Sequence, residues 1–117
     1  MDTKKLAALI VLPCVILATI NRAVAAPVTT SPSTVMPQQT YFYGTYDNGD
    51  VIFRLTTNTQ PQCVGYWLRA GDAGLKNELA ALMVSISAQL SLIVNADDAV
   101  IWAGSSSHFC LVTSLSL

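Results

Sequence analysis

One long amphipathic segment, residues 75–94, constrains what this chain can fold into. On a helix, the large apolar side chains of its first part fall on one stripe about 100° wide: Leu75, Leu79, Leu82, Met83 and Ile86. The opposite side carries small residues and few charges: Ala80, Ala81, Val84, Ser87 and Ala88. Because a solvent-facing helix normally carries charge there, we expect this side to form the interface of a homo-oligomer. The alternative is that alanine and serine are simply tolerated on an exposed helix surface.

The end of this helix is predicted near Ala88 or Gln89. Ile93 and Val94 then favour a strand, because β-branched side chains suit a pleated sheet. No glycine or proline marks the boundary. A single longer helix that continues to Val94 is therefore the alternative.

Short runs typical of strands lie on both sides of the helix. Asn48-Gly49 is the strongest hairpin signal and predicts a turn between the first two strands. Asp72 is predicted to cap the helix, and a turn is predicted over residues 95–98. Strands are predicted over residues 41–46, 51–57 and 63–69 before the helix, and over 92–94, 99–103 and 108–117 after it.

This order predicts a mainly β fold with one helix. Three strands, a helix and then two or three strands are typical of a five-stranded, partly open Greek-key barrel, so we expect an OB-fold-like small barrel. A small α+β sheet with the helix on one face is the alternative.

The first 25 residues have the layout of a secretory signal peptide. Lys4 and Lys5 precede an apolar segment over residues 6–20, and Ala23-Val24-Ala25 has the small-x-small pattern of a cleavage site. A retained membrane anchor and a lipoprotein are the alternatives. The apolar segment is short for a membrane span, so we expect cleavage near Ala25 and a periplasmic or secreted protein without a span.

The next segment, residues 26–39, reads APVTTSPSTVMPQQ. Its proline, serine and threonine content predicts a flexible linker. The folded OB-like domain is then predicted over residues 40–117.

The charge of the predicted mature chain argues against nucleic acid as a partner. It has three basic and six acidic residues after residue 25, a net charge of −3. Phosphate backbones attract strongly basic surfaces, and this chain offers none.

Two cysteines, Cys63 and Cys110, remain after cleavage, and we expect them to form a disulfide because exported chains meet an oxidising environment. The alternative, a zinc site, needs four ligands, and His108 is the chain's single histidine. We therefore expect no metal and no cofactor.

Catalytic motifs are not evident. Three serines precede His108, but no G-x-S-x-G context surrounds them. Asp97 and Asp98 could form a carboxylate pair for acid–base work, yet their neighbours indicate a turn. We expect no catalytic residues and no enzyme.

Aromatic side chains are the candidate ligand-binding groups, because their faces stack against the C–H faces of sugar rings while nearby polar groups bind the hydroxyls. The candidates are Tyr43, Tyr46, Asp47, Trp67 and Trp102. Packing in the core is the alternative for each of the aromatic ones.

The second half of the chain resembles a known family. Its pattern is C-V-G-Y-W-L from Cys63, Gly71-Asp72, an Ala/Leu-rich helix, an apolar strand, I-W-A-G-S around Trp102 and F-C-L-V around Cys110. This is similar to small exported bacterial proteins related to the B subunits of A-B toxins, of the subtilase-cytotoxin type. The resemblance implies an OB-fold, a ring-shaped homo-oligomer, glycan binding without catalysis and a separate A subunit.

These observations predict a non-enzymatic exported binding module whose ligand is a glycan. The alternative is a periplasmic structural or inhibitor protein that acts through a protein interface.

Overall fold

The computed structural model describes residues 27–117, and the predicted signal peptide, residues 1–25, lies outside them. The elements are β1 (Pro27–Thr29), β2 (Tyr41–Phe42), β3 (Val51–Phe53), β4 (Gly65–Leu68), α1 (Leu75–Ala88), β5 (Ile93–Ile101) and β6 (Phe109–Ser116). The strands form one sheet in the order β1-β5-β6-β4-β3-β2. Only β4 and β6 are parallel neighbours in this sheet. The predicted fold class, mainly β with one helix, is confirmed.

Residues 27–42 join the two ends of this sheet. At one end, β1 pairs with β5 and Ser33 bridges to Leu92. At the other end, Val35 bridges to Leu55 and β2 pairs with β3. One continuous segment therefore lies beside both β5 and β3 and closes the sheet into a small barrel of the expected OB-like kind. If this segment is counted as one barrel strand, α1 follows the third strand, which is β4.

The flexible linker predicted for residues 26–39 is wrong for the described residues 27–39, because this segment pairs with both ends of the sheet. Val28 and Val35 are buried in the barrel core. The side-chain oxygen of Thr30 accepts a hydrogen bond from the backbone N–H of Val94 at 3.0 Å. The Pro/Ser/Thr composition suggested a linker, although the segment contains two core valines and a threonine that bonds to a neighbouring strand. The folded domain therefore extends further toward the N-terminus than predicted.

The turn predicted over residues 95–98 is wrong, because β5 runs through it. The pairing with β6 shifts there: Asp97 pairs with Leu111, and the next pair is Ile101 with Cys110. Between these pairs, the Asp97 carboxylate accepts a hydrogen bond from the backbone N–H two residues on, at 2.8 Å. The polar residues that suggested a turn form a bulge, and the two strands predicted around them are one.

The C-terminal end of α1 lies where the sequence predicts it. The helix ends at Ala88, and Gln89 follows in the left-handed conformation with a φ of 55°. The next strand begins at Ile93. A residue in this conformation is a common way to end a helix, so the shorter helix is confirmed.

The N-terminal end of α1 differs from the prediction. Gly74 occupies the capping position, and no side chain caps the helix. The carboxylate of Asp72 instead accepts a hydrogen bond from Nε of Arg69 at 2.9 Å. Asp72 therefore closes the loop between β4 and α1 by an ion pair.

The core of the barrel lies between the inner face of the sheet and one side of α1. Leu82 is fully buried, and Leu75, Leu79 and Ile86 pack against the core from its border. Met83 does not belong to this group, because 47% of its surface is exposed. The predicted apolar stripe is therefore correct except for Met83, which lies on the outer side of the helix.

The predicted disulfide between Cys63 and Cys110 is present, and both residues are buried. It joins the chain just before β4 to β6, which runs parallel to β4. The bridge spans 47 residues of sequence. In the chain-entropy model such a loop stabilises the fold by about 4 kcal/mol.

The packing of α1 predicts opposite outcomes for two neighbouring substitutions. We expect Leu82→Ala to lower the free energy of unfolding by about 2–5 kcal/mol, because it leaves a cavity in the core. Met83→Ala, its matched control, should change this value by less than about 0.5 kcal/mol, as exposed substitutions do. Denaturant titrations measure both values. Equal losses would contradict the assigned helix orientation.

Candidate functional site

A second apolar cluster covers the outer face of the sheet. Ile52, Trp67 and Leu111 lie in one row across β3, β4 and β6, because Ile52 pairs with Trp67 and Trp67 pairs with Leu111. Their sequence neighbours point into the barrel core. Trp102 and Phe109 complete this outer cluster. The sheet is therefore apolar on both faces here, and the outer face needs its own cover.

Trp102 and the loop after β2 provide this cover. The ring of Tyr43 stacks on Trp102 with a centroid distance of 5.7 Å and an interplanar angle of 17°. Tyr46 meets the same indole at 6.1 Å and 71°, and its hydroxyl donates to the carbonyl oxygen of Gly104 at 2.7 Å. Phe109 contacts Trp102 edge-on at 5.8 Å. These contacts hold four aromatic rings as one unit.

A tight turn places the tyrosines over the sheet. Asp47, Asn48 and Gly49 have φ values of 46°, 68° and 77°. Asp and Asn are the non-glycine residues that best tolerate this left-handed region. A side chain at Gly49 would lie 2.9 Å from the carbonyl oxygen of Gly44. The Asp-Asn-Gly sequence is therefore what lets the chain turn back sharply enough to bring Tyr43 and Tyr46 onto Trp102.

An open hollow of about 490 Å³ lies on this aromatic unit, and we call it the aromatic cleft. Its exposed rings are Tyr41 and Tyr46, with 49% and 54% of their surface accessible. Arg54 supplies the charge, and its guanidinium carbon lies 5.3 Å from the centroid of Phe109. Further lining comes from Tyr43, Ile52, Trp102, Gly104, Ser105 and Phe109. The cleft therefore combines aromatic faces with hydroxyl groups and one cation.

A second hollow, of about 580 Å³, is also lined by residues of the loop between β2 and β3, and we call it the polar groove. Asp47, Asn48, Asp50 and Arg69 are the polar residues that line it. Trp67 lines it but is 6% exposed. The guanidinium carbon of Arg69 lies 5.8 Å from the centroid of the Trp67 ring, and the indole Nε1 donates to the carbonyl oxygen of Val100 at 3.1 Å.

The structure divides the five sequence-predicted ligand-binding residues between these hollows. Tyr43, Tyr46 and Trp102 line the aromatic cleft, while Asp47 and Trp67 line the polar groove. Both tryptophans are buried, so neither presents an open ring face to a ligand.

Sequence reasoning missed Tyr41 and Arg54. Tyr41 stacks on Tyr43 at 5.9 Å with an interplanar angle of 10°. The alternation of Tyr41 with Tyr43 in the sequence was the signal that could have found it.

Of the residues considered for catalysis, His108 and Asp97 do not line the aromatic cleft, whereas Ser105 does. His108 is exposed, and its backbone oxygen accepts a hydrogen bond from Val64. Asp97 belongs to the bulge in β5. Over residues 27–117, no three His, Cys, Asp or Glu side chains come together as they would around a metal ion. In the same range, no helix is long and apolar enough to cross a membrane.

Two titratable groups outside the cleft have shifted pKa values. Burial raises the pKa of Tyr66 to about 12, and its hydroxyl donates to the side-chain oxygen of Asn58 at 2.8 Å. Burial also raises the pKa of Glu78, and the nearby Asp72 carboxylate adds to that shift. Tyr66 is thus a neutral core residue at ordinary pH, where it fixes the loop that leads to Cys63.

No family model, curated protein or solved structure matches this chain. The resemblance to toxin B subunits therefore stays a prediction from the sequence pattern.

The contact between Gly104 and Trp102 generates a test of the site's construction. A side chain at Gly104 would collide with Cζ2 of Trp102, so we expect Gly104→Ala to displace the ring or the loop. Overpacking of this kind costs about 1–3 kcal/mol of stability. Gly71→Ala is the matched control, because nothing lies within 4 Å of its added carbon. Denaturant titrations and near-UV circular dichroism measure the effect, and an unperturbed Gly104→Ala protein would contradict the described contact.

Proposed function

We propose that this protein is a non-enzymatic, exported carbohydrate-binding module and that the aromatic cleft holds the sugar. The observation that carries the proposal is the pair of exposed rings, Tyr41 and Tyr46, beside Arg54 and Ser105 in one open cleft. Stacking on aromatic rings suits the C–H face of a pyranose, and the phenol, hydroxyl and guanidinium groups suit its oxygens.

The construction of the cleft supports binding at low entropic cost. Tyrosine presents a large amphipathic contact area with only two side-chain torsions to fix. Tyr43 and Tyr46 are held on Trp102, and Trp102 is held on Phe109. A surface that is already ordered loses little freedom when a ligand binds. The volume also lies within the range of about 300–1,000 Å³ that is usual for ligand pockets.

The lining of the cleft supports binding rather than hydrolysis. Glycosidases use a pair of carboxyl groups on either side of the scissile bond. The charged side chain that lines this cleft is Arg54, and no carboxylate is among its lining residues. The polar groove, with Asp47 and Arg69, shares the loop between β2 and β3 with the cleft and could contact an adjoining sugar unit.

Adjacent residues of β2 offer a matched test. Tyr41 and Phe42 are 49% and 50% exposed, and successive strand residues point to opposite faces. On a glycan array followed by calorimetry with the glycan that binds best, Tyr41→Ala should weaken binding about tenfold, equivalent to about 1.4 kcal/mol. Phe42→Ala should leave affinity unchanged, because Phe42 does not line the cleft. Absence of binding to any glycan by the wild-type protein would refute the proposal.

The outer side of α1 supports a second proposal, that copies of this protein associate through it. Four of the five residues predicted for an oligomer interface are exposed, namely Ala80, Val84, Ser87 and Ala88. The fifth, Ala81, is half-buried. Met83 and Leu90 add exposed apolar surface beside them, at 47% and 45%. The same surface could take a different protein, which is the alternative function, and the resemblance further implies a separate A subunit.

Two single variants, each with a valine replaced by glutamate, test the proposed oligomer. Val84→Glu puts a charge into the proposed interface and should convert the oligomer to a folded monomer. Val64→Glu is the matched control, because Val64 is also exposed but lies just before β4, away from α1. Light scattering gives the mass of each variant. A monomeric wild-type protein at high concentration, or an oligomer that survives Val84→Glu, would refute the proposal.

A further inference from the structure

The indole Nε1 of Trp102 is a buried hydrogen-bond donor that has no partner within the described part of the chain. Trp102 is only 2% exposed. The chain's other tryptophan differs, because Trp67 donates from its Nε1 to the carbonyl oxygen of Val100. Buried polar groups in folded proteins almost always have a partner, so the unpartnered N–H of Trp102 calls for an explanation.

The position of this N–H relates it to the aromatic cleft, because Trp102 is one of the cleft's lining residues. The backbone at Gly104 lies against the edge of the indole that includes Cε2 and Cζ2, and Cε2 is the carbon bonded to Nε1. The short loop at Gly104 therefore covers the part of the indole next to the N–H. Ala103, Ser105 and Ser106 in this loop are exposed.

One side-chain hydrogen bond ties this loop to the tyrosines. The hydroxyl of Tyr46 donates to the carbonyl oxygen of Gly104 at 2.7 Å, at an exposed position. An exposed hydrogen bond exchanges readily with water and costs little to open. Opening it would let the loop move off the edge of the indole, and the Nε1 would then face the cleft.

We infer that Trp102 is a ligand-binding residue, whose Nε1 donates a hydrogen bond to the acetamido carbonyl of an N-acetylated hexosamine when the Tyr46–Gly104 hydrogen bond opens. This inference rests on the proposed carbohydrate binding and specifies its substrate class. An indole N–H is a donor only, so it requires an acceptor, and an amide carbonyl serves better than a hydroxyl group that is also a donor. The acetamido methyl group suits the apolar surface of Phe109 and Ile52 beside Trp102.

Nuclear magnetic resonance of the mature protein tests the hydrogen bond directly. The chain has two tryptophans, so its ¹H–¹⁵N spectrum contains two indole signals, which the variant Trp67→Phe assigns. N-acetylglucosamine should move the Trp102 signal downfield in a saturable way and leave the Trp67 signal in place. Glucose, which differs by the acetamido group alone, should bind at least tenfold more weakly.

The outcomes separate this inference from the proposed function. Sugar-dependent shifts of the Tyr41 and Tyr46 ring signals without a shift of the Trp102 indole would overturn the inference and leave carbohydrate binding intact. Binding of glycans that lack N-acetyl groups, with N-acetylglucosamine inert, would do the same. If no glycan binds at all, the proposed function and the inference fail together.

A second measurement needs no ligand. Tyr46→Phe keeps the ring and removes the hydroxyl that bonds to Gly104, so the indole proton of Trp102 should exchange with solvent at least tenfold faster. Tyr43→Phe is the matched control, because Tyr43 also stacks on Trp102 and its hydroxyl does not bond to the loop. Unchanged exchange in Tyr46→Phe would overturn the role given to this hydrogen bond.

Discussion

The parallel pairing of β4 with β6, fixed by the disulfide between Cys63 and Cys110, is the constraint on which the rest of the structure depends. These strands lie on either side of α1 in the sequence. Their pairing brings the helix over the inner face and leaves β5 on the far side of β6. It also sets the row of Ile52, Trp67 and Leu111 on the outer face. Without that row, the aromatic rings of the cleft would have no apolar surface to pack against.

The candidate site follows from the apolar outer face of the sheet, which needs cover from solvent. Every residue of β3 and β4 is buried, although a strand that faces solvent on one side normally alternates between buried and exposed residues. The outer half of these strands is covered by Trp102 from one loop and by tyrosines from another. These two loops meet over the sheet, and residues of both loops line the aromatic cleft. The tyrosine loop that covers Trp102 therefore also presents aromatic surface to a ligand, chiefly through Tyr46.

The parts of the fold that the sequence predicted are those with strong local signals. The Asn48-Gly49 turn, the end of α1 and the disulfide each depend on a few residues whose chemistry has few alternatives. The errors have tertiary causes. Val28 and Val35 are ordered by pairing with distant strands, which the surrounding prolines and serines concealed. The acidic residues after Ala96 lie in a bulge, because β6 continues past them. For the site, composition identified the aromatic residues but not their burial. The contact of Arg54 with the Phe109 ring depends on β4, which lies between β3 and β6 in the sheet, and the sequence does not show this order.

The closure of the barrel by residues 27–42 has a consequence for how the molecule reaches its native state. Its first strand, β1, pairs with residues 95–97. The part of the domain that is synthesised first can therefore pair only after most of the chain has been made. Contacts between residues so distant in sequence slow folding, because the chain must lose much of its freedom before they form. Until β5 arrives, β1 has no partner strand, and unpaired strand edges pair readily with other chains. A longer time before closure should therefore expose more of this protein to aggregation.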